Sequence, residues 1–322
     1  MKKGLIALLG ISLLILGGCS SGKDKPKDTS KEATIGVLQM LKHGSLDASY
    51  KGFLAGLKEN GYEVGKNLEI DYQVGTGAQD SLKSMSETLV KKQPDLLLGI
   101  ATPAAISLLN ETTEIPIVIT AVTDPVTSKL AKSEDKPGGN VTGTTDMVPI
   151  EKQIDLLLSI KDNIKTVGIA YNAGEGNSKI QADLAIKALK KKGVEAKVLT
   201  ANSTNDVQSV VTSLAKNTDA IYIPTDNTFA TAAPIVGEVA KEYKIPVVAG
   251  SAEQVEAGAL ATYGIDYTSL GKQTGEMAAK ILKGEAKAAT FPIETAKDLK
   301  LIVNQKMAKA LGIDPESIKV PN

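Results

Sequence analysis

The sequence predicts an α/β protein of two similar halves, each a parallel sheet flanked by helices, joined by a hinge several strands wide. The first ground is an internal echo. Asp219-Ala-Ile-Tyr-Ile-Pro-Thr-Asp-Asn-Thr228 reads as a short buried strand ending in a polar turn that opens a helix, and Asp95-Leu-Leu-Leu-Gly-Ile-Ala-Thr-Pro-Ala104 has the same form. Each copy is followed by a strand entered through a proline, Glu114-Ile-Pro-Ile-Val-Ile-Thr120 and Lys244-Ile-Pro-Val-Val-Ala-Gly250. The second ground is the alternation of strand and helix along the chain, the βαβ rhythm of a parallel sheet. The third is a surplus of elements after the second half, which implies that the chain crosses back more than once. Ligands bind at the carboxyl ends of strands in open α/β sheets, so the crevice between the halves is the expected site.

The 322 residues are 42% hydrophobic and 23% charged, enough to bury two ordinary cores. The chain begins with Met1-Lys2-Lys3 and the apolar run 4–16, a basic segment and an apolar one too short to span a bilayer comfortably. Residues 1–18 therefore read as a signal peptide. Leu16-Gly-Gly-Cys19 resembles the bacterial lipoprotein processing motif, which makes Cys19 the expected lipid-bearing first residue of the mature chain. Residues 19–32 contain Ser, Lys, Asp and Pro with almost nothing apolar and read as a flexible tether from membrane to domain.

Cys19 is the sole cysteine, so its use as an anchor excludes disulfides, thiol catalysis and cysteine metal sites. His43 is the sole histidine and has no Gly-x-Ser-x-Gly elbow or second metal ligand at helical spacing beside it, so no enzyme, metal or cofactor is expected. Acids and bases balance, and every basic residue is lysine. Planar, bidentate recognition of phosphate or carboxylate normally recruits arginine, so nucleic acid is an improbable partner. An anionic group on a ligand would have to rest on backbone N–H groups, hydroxyls or a lysine.

In order, the apolar run 34–41 is a buried strand, and a helix follows from Leu46 with Ser45 as its N-cap. Residues 68–73 alternate as a strand, and 81–92 place Leu82, Met85, Leu89 and Val90 on one helical face. The strand 95–100 leads into a helix with Thr102 as cap and Pro103 in its first turn. After the strand 115–120 the pattern loosens through the turn-rich stretch 121–140, a candidate lobe boundary, before a short strand at 141–145 and a helix opened by Pro149. The rhythm restarts with strands at 166–170, 194–199, 220–223 and 245–249, and helices at 177–192, 207–216, 229–243 and 252–257. A strand at 260–265 precedes a helix carrying Leu270, Met277, Ile281 and Leu282, on which Gly271 and Gly275 suggest close packing. A strand at 299–303 and a helix at 305–311 finish the chain. The expected N-terminal lobe is 33–144 plus about 265–292, and the C-terminal lobe 145–264 plus about 293–322.

Polar turns after strands are the candidate binding groups: His43 and Ser45, Ala101 and Thr102, Thr123 and Asp124, Tyr171 and Asn172, Asp226 and Asn227, and Ser251. Helix N-termini at such turns offer free N–H groups and partial positive charge to a small carboxylate. An ammonium group would want Asp226, Asp124 or Asp266 instead. Ser45, Thr102 and Asn227 have a competing reading as simple N-caps, Asp266 and Tyr263 as hinge supports, and His43 as an ordinary loop residue.

Several motifs recur in order through the chain. They are Ile35-Gly-Val-Leu-Gln, Gly99-Ile-Ala-Thr-Pro-Ala104, Ile119-Thr-Ala-Val-Thr-Asp-Pro125, Pro137-Gly-Gly-Asn-Val-Thr-Gly143, Pro224-Thr-Asp-Asn227, Tyr263-Gly-Ile-Asp-Tyr267 and Ile302-Val-Asn-Gln. From about 34 to 311, the sequence resembles the ABC-transporter substrate-binding lipoprotein family, which includes tryptophan-binding members. The resemblance implies a type I periplasmic-binding-protein fold, two Rossmann-like lobes that close on a solute. It also implies permease and ATPase partners, a monomeric receptor, and tryptophan or another aromatic amino acid as ligand. On that expectation Ser45, Thr102 and Thr123 hold the carboxylate and Asp226 meets the ammonium. A sugar or nucleoside receptor, or one serving a sensor, is the alternative. Trp is absent and aromatic residues make up only 3% of the chain, so stacking would rest on a few Tyr or Phe or give way to an aliphatic pocket.

Overall fold

A computed structural model describes residues 32–297 and 299–321. The expected signal peptide, lipidated Cys19 and nearly all of the tether lie outside the described residues. Among the described residues, no helix is long and apolar enough to cross a membrane.

The first sheet begins with β1 (Ala33–Gln39), α1 (Gly44–Glu59), β2 (Leu68–Val74), α2 (Gln79–Lys91), β3 (Leu96–Ile100), α3 (Thr102–Glu111), β4 (Ile117–Val122) and β5 (Val141–Thr145). The second is built from α4 (Ile150–Ser159), β6 (Thr166–Asn172), α5 (Gly176–Lys191), β7 (Glu195–Ala201), α6 (Thr204–Asn217), β8 (Ala220–Ile223), α7 (Asn227–Thr231), α8 (Ala233–Tyr243), β9 (Val247–Ala249), α9 (Ala252–Ala257) and β10 (Ala261–Ile265). The chain then returns through α10 (Tyr267–Leu282) and β11 (Glu294–Thr295) and crosses again to β12 (Leu299–Val303) and α11 (Gln305–Leu311). The strand orders are β11-β5-β4-β3-β1-β2 and β12-β10-β9-β8-β6-β7, the same topology twice. All pairings are parallel except that β12 runs antiparallel to β10. The crossings fall after β5, after β10 and after β11, and they form the multi-strand hinge.

The echo in sequence is an echo in structure. Asp95, entering β3, accepts hydrogen bonds through Oδ2 from Thr34 N and Thr34 Oγ1, each at 3.0 Å. Asp219, entering β8, accepts in the same way from Lys165 N and Thr166 N, each at 2.9 Å. In each half an aspartate staples a central strand to the start of its neighbour, satisfying edge N–H groups that the ladder leaves over.

The long apolar runs become fully buried strands, β3 and β4 above all. Glycine permits the tight union of α1 with α10. A Cβ on Gly52 or Gly56 would collide with the carbonyl oxygens of Thr268 and Lys272, and one on Gly271 or Gly275 with those of Ser49 and Phe53. This union carries α10 back onto the first lobe.

Three expectations change. The stretch 121–140 is a loop within the first lobe, because β5 returns to pair with β4 before the chain crosses. The helix expected over 229–243 is broken into α7 and α8 at Ala232, where Pro234 has no N–H to give to the turn before it. Helix α1 starts at Gly44 with His43 as N-cap, which places Ser45 inside the first turn and frees its hydroxyl from capping.

Candidate ligand site between the lobes

Strand ends from both sheets enclose a small cavity of about 20 Å³, room for little more than a water molecule, so the crevice is nearly shut. The first lobe lines it with His43, Ser45 and Leu46 at the start of α1, Ala121 and Thr123 at the end of β4, Asp146 just past β5, and Tyr267 on α10. The second lobe lines it with Asn177 on α5, Thr225, Asp226, Asn227 and Ala230 around the start of α7, and Ser251 and Gln254 at the start of α9.

The lobes are closed on each other. His43 Nε2 meets Asn227 Oδ1 at 3.1 Å, and Ser45 Oγ meets Ser251 Oγ at 3.1 Å. Ser45 Oγ also donates to Glu253 Oε2 at 3.0 Å, which leaves Ser251 as donor in the serine pair. At the other end of the crevice the Gln181 amide donates to Thr123 Oγ1 at 3.1 Å and to Thr225 Oγ1, joining β4 to the β8 loop. Burial pushes the Glu253 carboxyl up, and the Ser45 hydroxyl opposes that shift.

Asp226 lies in the cavity wall, but its oxygens are committed within its own lobe. Oδ1 accepts from Phe229 N at 2.9 Å as the cap of α7, and Oδ2 accepts from Asn172 N at 2.7 Å. Glu175 takes the remaining donors of the same helix start: Asn227 N (3.1 Å), Asn227 Nδ2 (2.6 Å), Thr228 N (3.1 Å) and Thr228 Oγ1 (3.0 Å). Burial first, and then the Glu175 carboxylate, push the Asp226 carboxyl up to about 8. The expectation that Asp226 meets an ammonium therefore has a competitor, because each of its oxygens already accepts a hydrogen bond within its own lobe.

Four buried polar atoms have no hydrogen-bond partner among the described residues: His43 Nδ1, Thr102 Oγ1, Asp146 Oδ1 and Asn177 Oδ1. All except Thr102 belong to residues of the cavity wall. Buried polar groups are nearly always paired, so the three in the cavity wall have bonding capacity left over in this closed arrangement. Asp146 Oδ2 accepts from the Tyr267 hydroxyl at 2.6 Å, while Oδ1 makes no bond of ordinary length. Burial raises the Asp146 carboxyl above its ordinary range, opposed by the Tyr267 and Thr123 hydroxyls. Burial and the neighbouring Asp146 hold the Tyr267 phenol protonated. His43 is held below its ordinary value by burial, against the pull of Asn227 and Asp47, so the ring is neutral. Thr102 is the first residue of α3, a helix that no side chain caps, and its loop is tied to β4 by Ala101 N donating to Thr120 O at 3.1 Å. Ala101 reaches this turn with φ of 78°, a strained value for a residue with a Cβ.

Of the residues singled out from sequence, the cavity gathers His43, Ser45, Thr123, Asp226, Asn227 and Ser251. Ala101 and Thr102 lie at the start of α3 and are not among the residues that line it. Asp124 is turned to Val126 N and Thr127 N, closing a local turn. Tyr171 and Asn172 end β6, where Asn172 supports Asp226 and Thr228. Asp266 caps α10 through Ser269 N at the second crossing. Sequence reading missed Asp146, Glu175, Asn177 and Tyr267. Asp146 follows strand β5 directly, so the strand-end rule applied there would have found it. Glu175 and Asn177 flank Gly176 just past β6, where the strand-end reading stopped at Tyr171 and Asn172.

The model of the ABC transporter substrate binding protein family matches residues 34–320. A tyrosine-binding protein of Clostridioides difficile is 38% identical over 316 residues, which is 96% of this chain and 91% of that protein. The structure of an ABC domain in complex with L-Trp from Streptococcus pneumoniae superposes with a TM-score of 0.85 at 40% identity, covering 89% of this chain and 97% of that one. The ligand-free, open structure of a substrate-binding protein with adhesive properties from Clostridium difficile gives 0.68 at 41% identity, over 88% and 95% of the chains. At nearly equal identity the lobes here match the ligand-bound arrangement better, in keeping with the bonds across the crevice.

Proposed function

The chain belongs to the family of ABC transporter substrate-binding proteins, with the type I periplasmic-binding-protein fold, and on that premise we propose that its solute is an aromatic α-amino acid. The observation that carries this reading is Asp146. A buried carboxylate with one oxygen open beside a cavity calls for a cationic donor, because an isolated buried charge is costly. An α-ammonium supplies that donor, and Asn177 Oδ1 offers a second acceptor to it. The α-carboxylate goes to the uncapped start of α3 and the Thr102 hydroxyl, with Thr123 beside them. This division needs no arginine, and the chain has none.

Leu46, Ala121 and Ala230 provide apolar wall for a ring once the lobes part to admit it, and two relatives at 38% and 40% identity take tyrosine and L-Trp. Closure is a hinge equilibrium biased by a ligand that touches both lobes. The receptor works outside the cytoplasmic membrane as one chain, tethered through Cys19, and delivers its solute to a permease driven by an ATPase. Nothing in this cycle requires a bond to be made or broken.

Calorimetry on the lipid-free mature domain against tryptophan, tyrosine, phenylalanine and leucine tests the ligand class, with tyramine as a control lacking the carboxylate. Binding of the aromatic amino acids with loss of tyramine binding is expected. Silence with every amino acid, on folded protein freed of co-purified ligand, would sink the reading.

A further inference from the structure

We propose that His43 reads a hydrogen-bond donor on the side chain of the ligand, so that the site selects a ring bearing O–H or N–H over a plain hydrocarbon ring. The assignment rests on the reading of the ligand as an aromatic amino acid.

It follows from a chain of bonds that fixes the tautomer of the imidazole. Glu175 Oε2 accepts from Asn227 Nδ2 at 2.6 Å and from Asn227 N at 3.1 Å, which settles the orientation of the Asn227 amide. Its carbonyl oxygen therefore faces His43, at 3.1 Å from Nε2, and can only accept. Nε2 must carry the proton. The ring is neutral in this buried setting, so Nδ1 is a bare lone pair. That nitrogen is buried, has no partner among the described residues, and belongs to a residue of the cavity wall.

The ammonium does not need this lone pair, because Asp146 Oδ1 and Asn177 Oδ1 serve it. A phenol O–H or an indole N–H would satisfy Nδ1, whereas a phenyl ring would bury it unpaired. A site built to hydrogen-bond a substrate group rejects the analogue that lacks it far more strongly than an apolar pocket rejects a missing methylene.

The test compares matched pairs by calorimetry on the wild-type mature domain: tyrosine with phenylalanine, and tryptophan with its benzothienyl analogue, in which sulfur replaces the N–H. For whichever of tyrosine and tryptophan binds tighter, removal of the donor is expected to raise Kd by about tenfold or more. His43→Phe should cut that ratio to below about threefold, chiefly by weakening the donor-bearing ligand. A wild-type ratio near one overturns the proposal, whether or not the variant folds. A ratio that survives in folded His43→Phe overturns it as well. Failure of every amino acid to bind would instead remove the underlying ligand class, and this assignment with it.

Discussion

The loops that leave β3 and β8 occupy the same place in the two lobes, and they treat the helix they open in opposite ways. After β3, Ala101 and Thr102 lead into α3 with no capping side chain and a buried, unpartnered hydroxyl. After β8, Asp226 and Glu175 together satisfy Asn227 N, Thr228 N and Phe229 N, the first donors of α7. One helix start has no capping side chain, and the other is filled by carboxylates of the protein itself. At the opposite edge of the sheets the copies agree, since Asp95 and Asp219 make equivalent staples. Where the copies match they serve the fold, and where they part lie the groups that the proposed reading assigns to the ligand.

Asp146 and Asp226 sharpen the contrast, because both are buried in one cavity wall and, of the two, Asp146 has an oxygen without a hydrogen-bond partner among the described residues. The largest effect is expected from Asp146→Asn, which keeps the Tyr267 contact in reach but removes the charge that meets the ammonium. Calorimetry should show affinity falling about a hundredfold, in line with losing one partner of a buried charge pair. Wild-type affinity should also weaken as pH falls, since the Asp146 carboxyl lies above its ordinary range and its protonation abolishes the pairing. A variant that binds normally would transfer the ammonium to another group and break the comparison.

Thr102→Val comes next. Its hydroxyl has no hydrogen-bond partner to lose among the described residues, so the melting temperature should hold or rise while affinity drops about tenfold. Lost stability with intact affinity would make Thr102 a structural residue and close the open helix start.

Asp226→Asn should act in the reverse sense, with the smallest effect on binding. One acceptor for Asn172 N or Phe229 N is lost, at about 1–3 kcal/mol of stability, while the affinity of the folded protein changes by less than about threefold. The pH dependence gives a second readout. The folded carboxyl is raised to about 8 from an ordinary 3.8, so the native state holds a proton that the unfolded chain gives up. Its contribution is fully present below pH 3.8 and is lost as pH rises toward 8, by at most about 1.4 kcal/mol per unit. Thermal melts of wild type and variant between pH 5 and 8 should therefore converge with rising pH. Parallel curves would show that Asp226 is ionised and available after all.

Much of this was legible in the residues. Apolar runs with polar ends placed the strands of both lobes, and the repeated strand-entry aspartates revealed the duplication. Gly271 and Gly275 announced the close helix contact, although their partners Gly52 and Gly56 on α1 were not read. The boundaries that moved did so for local reasons: Pro234 split a helix, and α1 began two residues before Leu46, inside which Ser45 became an interlobe donor.

The sequence by itself determined the two-lobed α/β architecture, its family, and the crevice at the strand ends where polar residues collect. Hydrophobic periodicity and turn chemistry act over a few neighbouring residues, so they can be read along the chain. Only the tertiary structure decided which of those polar groups have bonding capacity left for a ligand. Asn172 claims Asp226 from 54 residues away, and Tyr267 takes one oxygen of Asp146 from 121 residues away while leaving the other bare. Spare valence at a buried atom is set by partners that folding brings from distant segments, and no local pattern records it.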